Sequence, residues 1–421
     1  MKLEIQPLVA LCDEKVSIRV SGLPASEKVK ISASMSLPWA KTVVLESFAW
    51  FTADQGGNVD LSKQKPDAGT YDYVDGMGLI ASMGLVSGDI KDIGQNISVD
   101  ENLFIDIVAE NGPDRTTAKL ERLFKSPDIK RLGIREEFVG DLFYTDDKNN
   151  QTIVFLGGSG SGLGPNMPVA AALASHGFNV LSLPYFGEKG LPAQLSEIPL
   201  EYFERVFKWL SENPITGGKA IQLLGMSKGA ELALLLASRY PFITKVAVWA
   251  PHAYCFQGIA FKNVSSWTHG GKQLPFIQLK NRWVFESAIR GMIKNEPFTF
   301  TYTYKKGLKV AKNKEAARIK IENSNADLLL FATTDNGMWN TYDGCMQIMD
   351  TLRQSNYPHK YDLVIYEGAG EPFYVPYILP AGETTMKMAP RLVLSMGGTL
   401  KANAFTKADS WEKTIRFFKN E

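Results

Sequence analysis

The sequence predicts two domains, an all-β sandwich followed by a doubly wound α/β domain with a mostly parallel sheet. Three observations carry this. Residues alternate apolar and polar with period two through the first third, and short buried apolar runs alternate with helical patterns through the rest. Between one such run and one such helix stands a Gly-x-Ser-x-Gly pentapeptide. At 421 residues, 45% hydrophobic and 22% charged, the chain can bury one large core and one small one.

Taken in order, "VSIRVSGL", "KVKISASMSL", "ESFAWFTAD", "LFIDIVAE" and "TTAKLERLF" alternate at the spacing of sandwich strands. "IREEFVGDLFY" then opens a different arrangement, so the boundary falls near residues 126 to 135, giving domains 1–130 and 131–421. Beyond it, "QTIVFLGG", "FNVLSLPY", "AIQLLGMS", "KVAVWAPH", "DLLLFATT" and "YDLVIYEGAG" read as strands buried on both faces. "MPVAAALASHG", "PLEYFERVFKWLSENP", "KGAELALLLASRYP" and "MWNTYDGCMQIMDTLRQSN" carry helical spacing between them. A βαβ series of this kind places functional loops at the carboxyl ends of the strands. Gln257 to Glu322 reads as an insertion, with a basic run from Lys305 to Lys320 that either meets phosphates or forms a solvated helix face.

Composition narrows the function. Lysines and arginines (46) balance aspartates and glutamates (45), so no general field draws the chain to nucleic acid. Cys12, Cys255 and Cys345 lie far apart with no C-x-x-C pair, which argues against a disulfide framework and a zinc site; no metal or cofactor is expected. The first residues lack a signal-peptide pattern, and no run reaches the length of a membrane helix. The expectation is a soluble, cytoplasmic protein whose oligomeric state the sequence leaves open.

Gly225-Met226-Ser227-Lys228-Gly229 sits where a nucleophile elbow belongs, strand before and helix after. The turn is sharp enough that side chains at the two glycine positions would strike the neighbouring strand and helix. The other reading is a strand-helix turn with a serine cap. "FLGGSGSGLG", residues 155 to 164, lacks the Gly-Lys-Ser/Thr of a phosphate-binding P-loop and lies two strands before the elbow. That position suits an oxyanion hole, with Gly158 and Ser159 acting beside the amide of Lys228. Asp335, ending "DLLLFATTD", stands where a carboxylate would orient a catalytic histidine, or is a turn former. The loop that should deliver the histidine is "YEGAGEPFYVPY", which holds Glu371 instead. Of the four histidines, only His252, after the strand following the elbow helix, lies at the carboxyl end of the sheet, as an alternative base or a structural residue.

Here the chain resembles the family of acyl-CoA thioesterases and bile acid-CoA:amino acid N-acyltransferases, almost from end to end. "GLPASEKVKISASM", "DGMGLIASM", "LPYFGEKGLP", "GMSKGAELALLLAS" and "DSWEKTIRFF" carry the resemblance. It implies an immunoglobulin-like first domain, an α/β-hydrolase second domain and a triad acting on a fatty acyl-CoA thioester. The nucleophile position is Ser227, as in the thioesterases, and the acid falls on Asp335 or on the next position, Asn336. The histidine's place is taken by Glu371, and Asn403 stands near another histidine usual in the family. Three functions stay open: a thioesterase using Ser227 with Glu371 or His252 as base, a catalytically weak acyl-CoA-binding relative, or an acyltransferase passing the acyl group from Ser227 to an amine or alcohol.

Overall fold

The computed structural model describes all residues except 94–96, 148, 149, 161, 219, 261 and 379; Ser161 of the glycine-rich loop thus lies outside the described residues. The chain divides into two compact units. The first comprises 1–127, 374–383 and 399–408, and the second 128–373, 384–398 and 409–421.

The first unit is built on β-structure. Strands Lys2–Gln6, Ser17–Ser21 and Val59–Asp60 form a small antiparallel sheet. A larger sheet centres on Lys28–Leu37, paired antiparallel with Ala40–Thr52 on one side and Leu103–Asn111 on the other. Period-two alternation works as the pleat requires. Val29, Ile31, Ala33, Met35 and Leu37 of the central strand are all buried, while the residues between them are not.

The second unit carries an eight-stranded sheet: β1 (Lys130–Ile134), β2 (Gly140–Tyr144), β3 (Thr152–Leu156), β4 (Asn179–Ser182), β5 (Ile221–Met226), β6 (Ile243–Trp249), β7 (Asp327–Thr333) and β8 (Tyr361–Tyr366). Their spatial order is β1-β2-β4-β3-β5-β6-β7-β8. Only β2 runs antiparallel to its neighbours, so β3 to β8 form a parallel sheet. Every residue of β3 and β4 is buried, as expected of strands covered on both faces. Helices α1 (Leu163–Ser175), α2 (Leu200–Glu212), α3 (Lys228–Ala237), α4 (Asn281–Lys294), α5 (Thr301–Val310) and α6 (Thr341–Gln354) connect the strands, and α7 (Leu400–Lys419) closes the chain. Strand order and direction make this unit an α/β-hydrolase sheet, with β5 in the middle and the ends of β3, β5, β7 and β8 opening on one edge.

The Gln257–Glu322 insertion holds α4 and α5, and three of the seven basic residues in its run from Lys305 to Lys320 are ion-paired. Arg318 bridges Glu315 and Glu322, Lys320 pairs with Glu315, and Lys306 pairs with Glu286. An element the sequence did not signal is the antiparallel hairpin of Thr385–Ala389 with Leu392–Ser395.

Candidate active site

Between β5 and α3 the backbone turns within one residue. Ser227 has φ 52° and ψ −118°, a left-handed region that costs a non-glycine residue on the order of 1–3 kcal/mol. Its amide donates to the carbonyl of Trp249 at the end of β6 (2.8 Å), and its carbonyl accepts from Ala230 (2.9 Å) and Glu231 (3.0 Å). The conformation is thereby held from both sides. The flanking glycines have no room for a side chain. A Cβ on Gly225 would lie 2.5 Å from the Gly229 carbonyl oxygen, and one on Gly229 would lie 2.0 Å from that of Leu156.

The loop after β3 closes on the serine. A Cβ at Gly158 would sit 3.3 Å from Ser227 Cβ and 3.9 Å from its Oγ, so this backbone comes up against the hydroxyl. Tyr185, buried, donates its hydroxyl to the carbonyl of Gly157 (2.7 Å) and fixes the loop from below. Ser159 and Gly160 line the same cavity as Ser227 and Lys228. Lys228 is the first residue of α3, where amides have no intrahelical acceptor and favour negative charge.

Glu371 is presented by the loop after β8. Its amide donates to the carbonyl of Met396 (3.2 Å), and a Cβ on the preceding Gly370 would strike the Gly397 carbonyl at 2.2 Å, so the loop is clamped against residues 396–397. The carboxyl faces the side chains of Ser227 and Asn336. Burial pushes its pKa up to about 7, and the contacts with Ser227 and Asn336 only partly offset that rise. The residue as a whole is half-buried, but Oε2 is shut off from solvent and has no hydrogen-bond partner among the described residues.

Asp335 and Asn336 point to different places. Asp335 is exposed, and its Oδ2 accepts from the amide of Gly398 (2.9 Å); it is not among the groups that act on Glu371. Asn336 is buried and its Oδ1 accepts from the amides of Met338 (2.8 Å) and Trp339 (3.2 Å). This fixes the amide group, so Nδ2 donates toward Thr333 Oγ1 (3.4 Å) and faces Glu371. The structure therefore brings Ser227, Glu371 and Asn336 together and leaves Asp335 aside. Desolvation, and not repulsion from Asp335, is what raises the Glu371 pKa.

His252 is fully buried in an aromatic nest, with its ring edge-on to Phe256 at 4.8 Å and 5.8 Å from Trp339. Burial pushes its pKa down to about 3, and neither ring nitrogen has a hydrogen-bond partner among the described residues. It packs as a neutral aromatic residue. Asn403 belongs to the first unit, where its amide donates to the carbonyl of Ala381 (3.4 Å).

Sequence reasoning missed the floor and walls of the site. Lys228 Nζ is buried and donates to both oxygens of buried Glu231 (2.7 Å each), which also accepts from Trp267 Nε1 (2.7 Å). Desolvation pushes the Glu231 pKa up while Lys228 and Trp267 draw it back. Glu231→Ala leaves a buried ammonium unpaired and should destabilise the protein by about 3–5 kcal/mol in a denaturant melt, against about 0–1 kcal/mol if the pair were exposed. Above the serine opens a cavity of ≈ 690 Å³, walled by Leu279, Val284, Phe285, Phe300, Tyr304 and Trp339 from the insertion and the β7–α6 connection. Its volume and apolar lining suit a small-molecule ligand with a hydrocarbon part.

Sheet order and the tight strand-turn-helix with its close-packed glycines define an α/β-hydrolase. Family models place the chain further: residues 198–421 match "BAAT / Acyl-CoA thioester hydrolase C terminal" and residues 13–136 match "Acyl-CoA thioester hydrolase/BAAT N-terminal region". The chain belongs to this acyl-CoA thioester hydrolase and N-acyltransferase family. It is 28% identical over 433 residues to acyl-coenzyme A amino acid N-acyltransferase 1 of Mus musculus, covering 100% of this chain and 97% of that one. Against the mitochondrial acyl-coenzyme A thioesterase 2 of the same organism it is 25% identical over 423 residues, with 99% and 88% covered. Among solved structures, esterase B from Lactobacillus rhamnosis aligns with 70% of this chain and 87% of its own, at 12% identity and a TM-score of 0.40. Among the described residues no helix is long and apolar enough to cross a membrane.

Proposed function

We propose that the chain hydrolyses fatty acyl-CoA to free acid and CoA, with Ser227 as nucleophile and Glu371 as general base. The observation that supports this best is the carboxyl of Glu371, held at the Ser227 side chain with its pKa pushed up to about 7. A free glutamate titrates near 4.3 and is a poor base for serine; near 7 it matches the value that general base catalysis favours at neutral pH. Ser227 Oγ attacks the thioester carbonyl carbon while its proton passes to Glu371. The carbonyl oxygen becomes an oxyanion, taken by the Lys228 amide and the Gly158–Ser159 loop. The C–S bond then breaks, and the thiolate, whose conjugate acid titrates near 8.5 as in cysteine, takes the proton from Glu371. Water attacks the acyl-serine ester by the same route, returning the hydroxyl to Ser227.

Replacing histidine by glutamate changes the charge the site carries. A histidine becomes cationic on taking the proton and so offsets the oxyanion. Glutamate becomes neutral, leaving one net negative charge throughout, and the burden falls on the oxyanion donors. Asn336 fits this scheme, because a carboxylate in its place would repel the ionised Glu371. Acyl transfer from Ser227 to an amine or alcohol is the second reading, favoured by the N-acyltransferase among the relatives.

The test is thiol release from palmitoyl-CoA by the native protein and by Ser227→Ala, with and without an amino acid acceptor. Release by the native form, absent in Ser227→Ala, is the expected result; acceptor-dependent release points to transfer. No release from the native form under any condition overturns the enzyme reading and leaves an acyl-CoA-binding protein. On the same footing we assign residues 1–130 to an immunoglobulin-like sandwich and 131–421 to the hydrolase domain, less 374–383 and 399–408, which belong to the first unit. A cytoplasmic setting accords with three buried cysteines, all of them free.

A further inference from the structure

Helix α4 carries an apolar stripe on its exposed side. Phe285, Ile289, Met292 and Ile293, at spacing i, i+4, i+7 and i+8, are 66%, 51%, 48% and 79% exposed. This is the spacing at which side chains share one face of a helix. The opposite face is satisfied: Trp283, Ser287, Ala288 and Gly291 are buried. Four exposed side chains that a soluble helix would normally keep polar therefore project together.

Two further features say what covers them. The first is charge. Lys280, Arg282, Arg290 and Lys294 are exposed around the stripe, and none is within ion-pair distance of a carboxylate among the described residues. The acidic groups nearby are Glu286, engaged by Lys306, and Glu296 beyond the helix end. Lys280 and Arg282 rest over the Trp283 ring and Arg290 over that of Tyr302, contacts that leave their charge unneutralised. An apolar face bordered by cations without a carboxylate partner is the composition of a helix that lies in a lipid interface. The second is continuity. Asn281, Val284 and Phe285 of the same helix also line the cavity above Ser227, so the stripe and the cavity share a wall.

We propose that α4 is a membrane-docking surface that sets the cavity mouth against a bilayer rich in anionic lipid. Phe285, Ile289, Met292 and Ile293 enter the headgroup and acyl boundary while the four cations meet lipid phosphates. A long acyl chain partitioned in the bilayer then reaches the cavity along Phe285 without crossing water. The docking surface stands apart from the chemistry at Ser227, and binding is read without turnover.

The protein is sedimented with vesicles of phosphatidylcholine alone and of phosphatidylcholine with about a third phosphatidylserine. The native protein should partition onto the anionic vesicles and not onto the neutral ones. Ile289→Asp/Ile293→Asp should abolish partitioning, and Arg290→Glu/Lys294→Glu should lower it by about tenfold or more. These side chains are exposed, and thermal melts alongside show whether the variants fold as the native chain does. Native protein that stays in the supernatant, or binding unchanged in the folded Ile289→Asp/Ile293→Asp variant, overturns the proposal. Light scattering that finds a native dimer and an Ile289→Asp/Ile293→Asp monomer also overturns it, because the stripe is then covered by a second copy.

Discussion

Glu371→Gln should lower thiol release from palmitoyl-CoA by about 10⁴ to 10⁶, the range seen when a member of a catalytic triad is lost. Glutamine keeps the shape and the contacts to Ser227 and Asn336 but cannot take a proton. The native protein should show the corresponding pH dependence. Only the ionised carboxylate is a base, so turnover should fall about tenfold per unit below pH 7 and level off above it. A profile flat across about pH 5 to 9, or a glutamine variant as fast as the native protein, would exclude Glu371 as the base.

The same substitution should stabilise the fold. Glu371 binds its proton more tightly folded than unfolded, since its pKa rises from 4.5 to about 7. The resulting penalty is absent below the ordinary carboxyl value, grows as pH rises through it and is complete above about 7. At 1.36 kcal/mol per unit it amounts to about 3 kcal/mol, so at alkaline pH Glu371→Gln should melt later than the native protein. A variant that loses activity and stability together would instead point to a packing defect.

Gly229→Ala is the substitution with the largest expected effect on the fold. Its Cβ would lie 2.0 Å from the Leu156 carbonyl oxygen and 2.4 Å from that of Gly157, backbone atoms that cannot rotate away. Either β3 or α3 must shift, at about 4 kcal/mol or more, and the Ser227 turn is lost with it. Gly160→Ala, in the same loop system but with nothing within 4 Å of its Cβ, serves as the control and should change stability by less than about 0.5 kcal/mol. Equal melting curves for the two variants would show that close packing does not set the glycine at 229.

Part of this was legible in the sequence. Strand, pentapeptide and helix are contiguous, so the turn at Ser227 and the need for its glycines follow from local sterics. Buried parallel strands such as β3 and β7 announce themselves as unbroken apolar runs. The partner of Glu371 could not be read in this way. Asp335 and Asn336 are consecutive, and which one turns inward depends on the Asx-type turn that Asn336 makes with Met338 and Trp339. An Asn two residues before a backbone donor is a weak signal that a stronger expectation of an acid obscured. The cavity was hidden for another reason: its walls come from an insertion whose helices have exposed apolar faces, so periodicity does not report what they cover. Nor does any local signal tell that 374–383 and 399–408 join the first unit.

The fixed amide of Asn336 bears on how such a site can change over descent. Its Oδ1 is already occupied by two backbone donors, so it can offer position 371 only a donor. Glu371→His alone would place an imidazole against that donor, turning its protonated nitrogen toward Ser227, the tautomer that cannot accept the serine proton. Asn336→Asp alone would set two carboxylates side by side in a desolvated site. Each single step is worse than either end. Positions 336 and 371 are therefore expected to act as one unit, so that a Ser-His-Asp arrangement at this site would need both changes together.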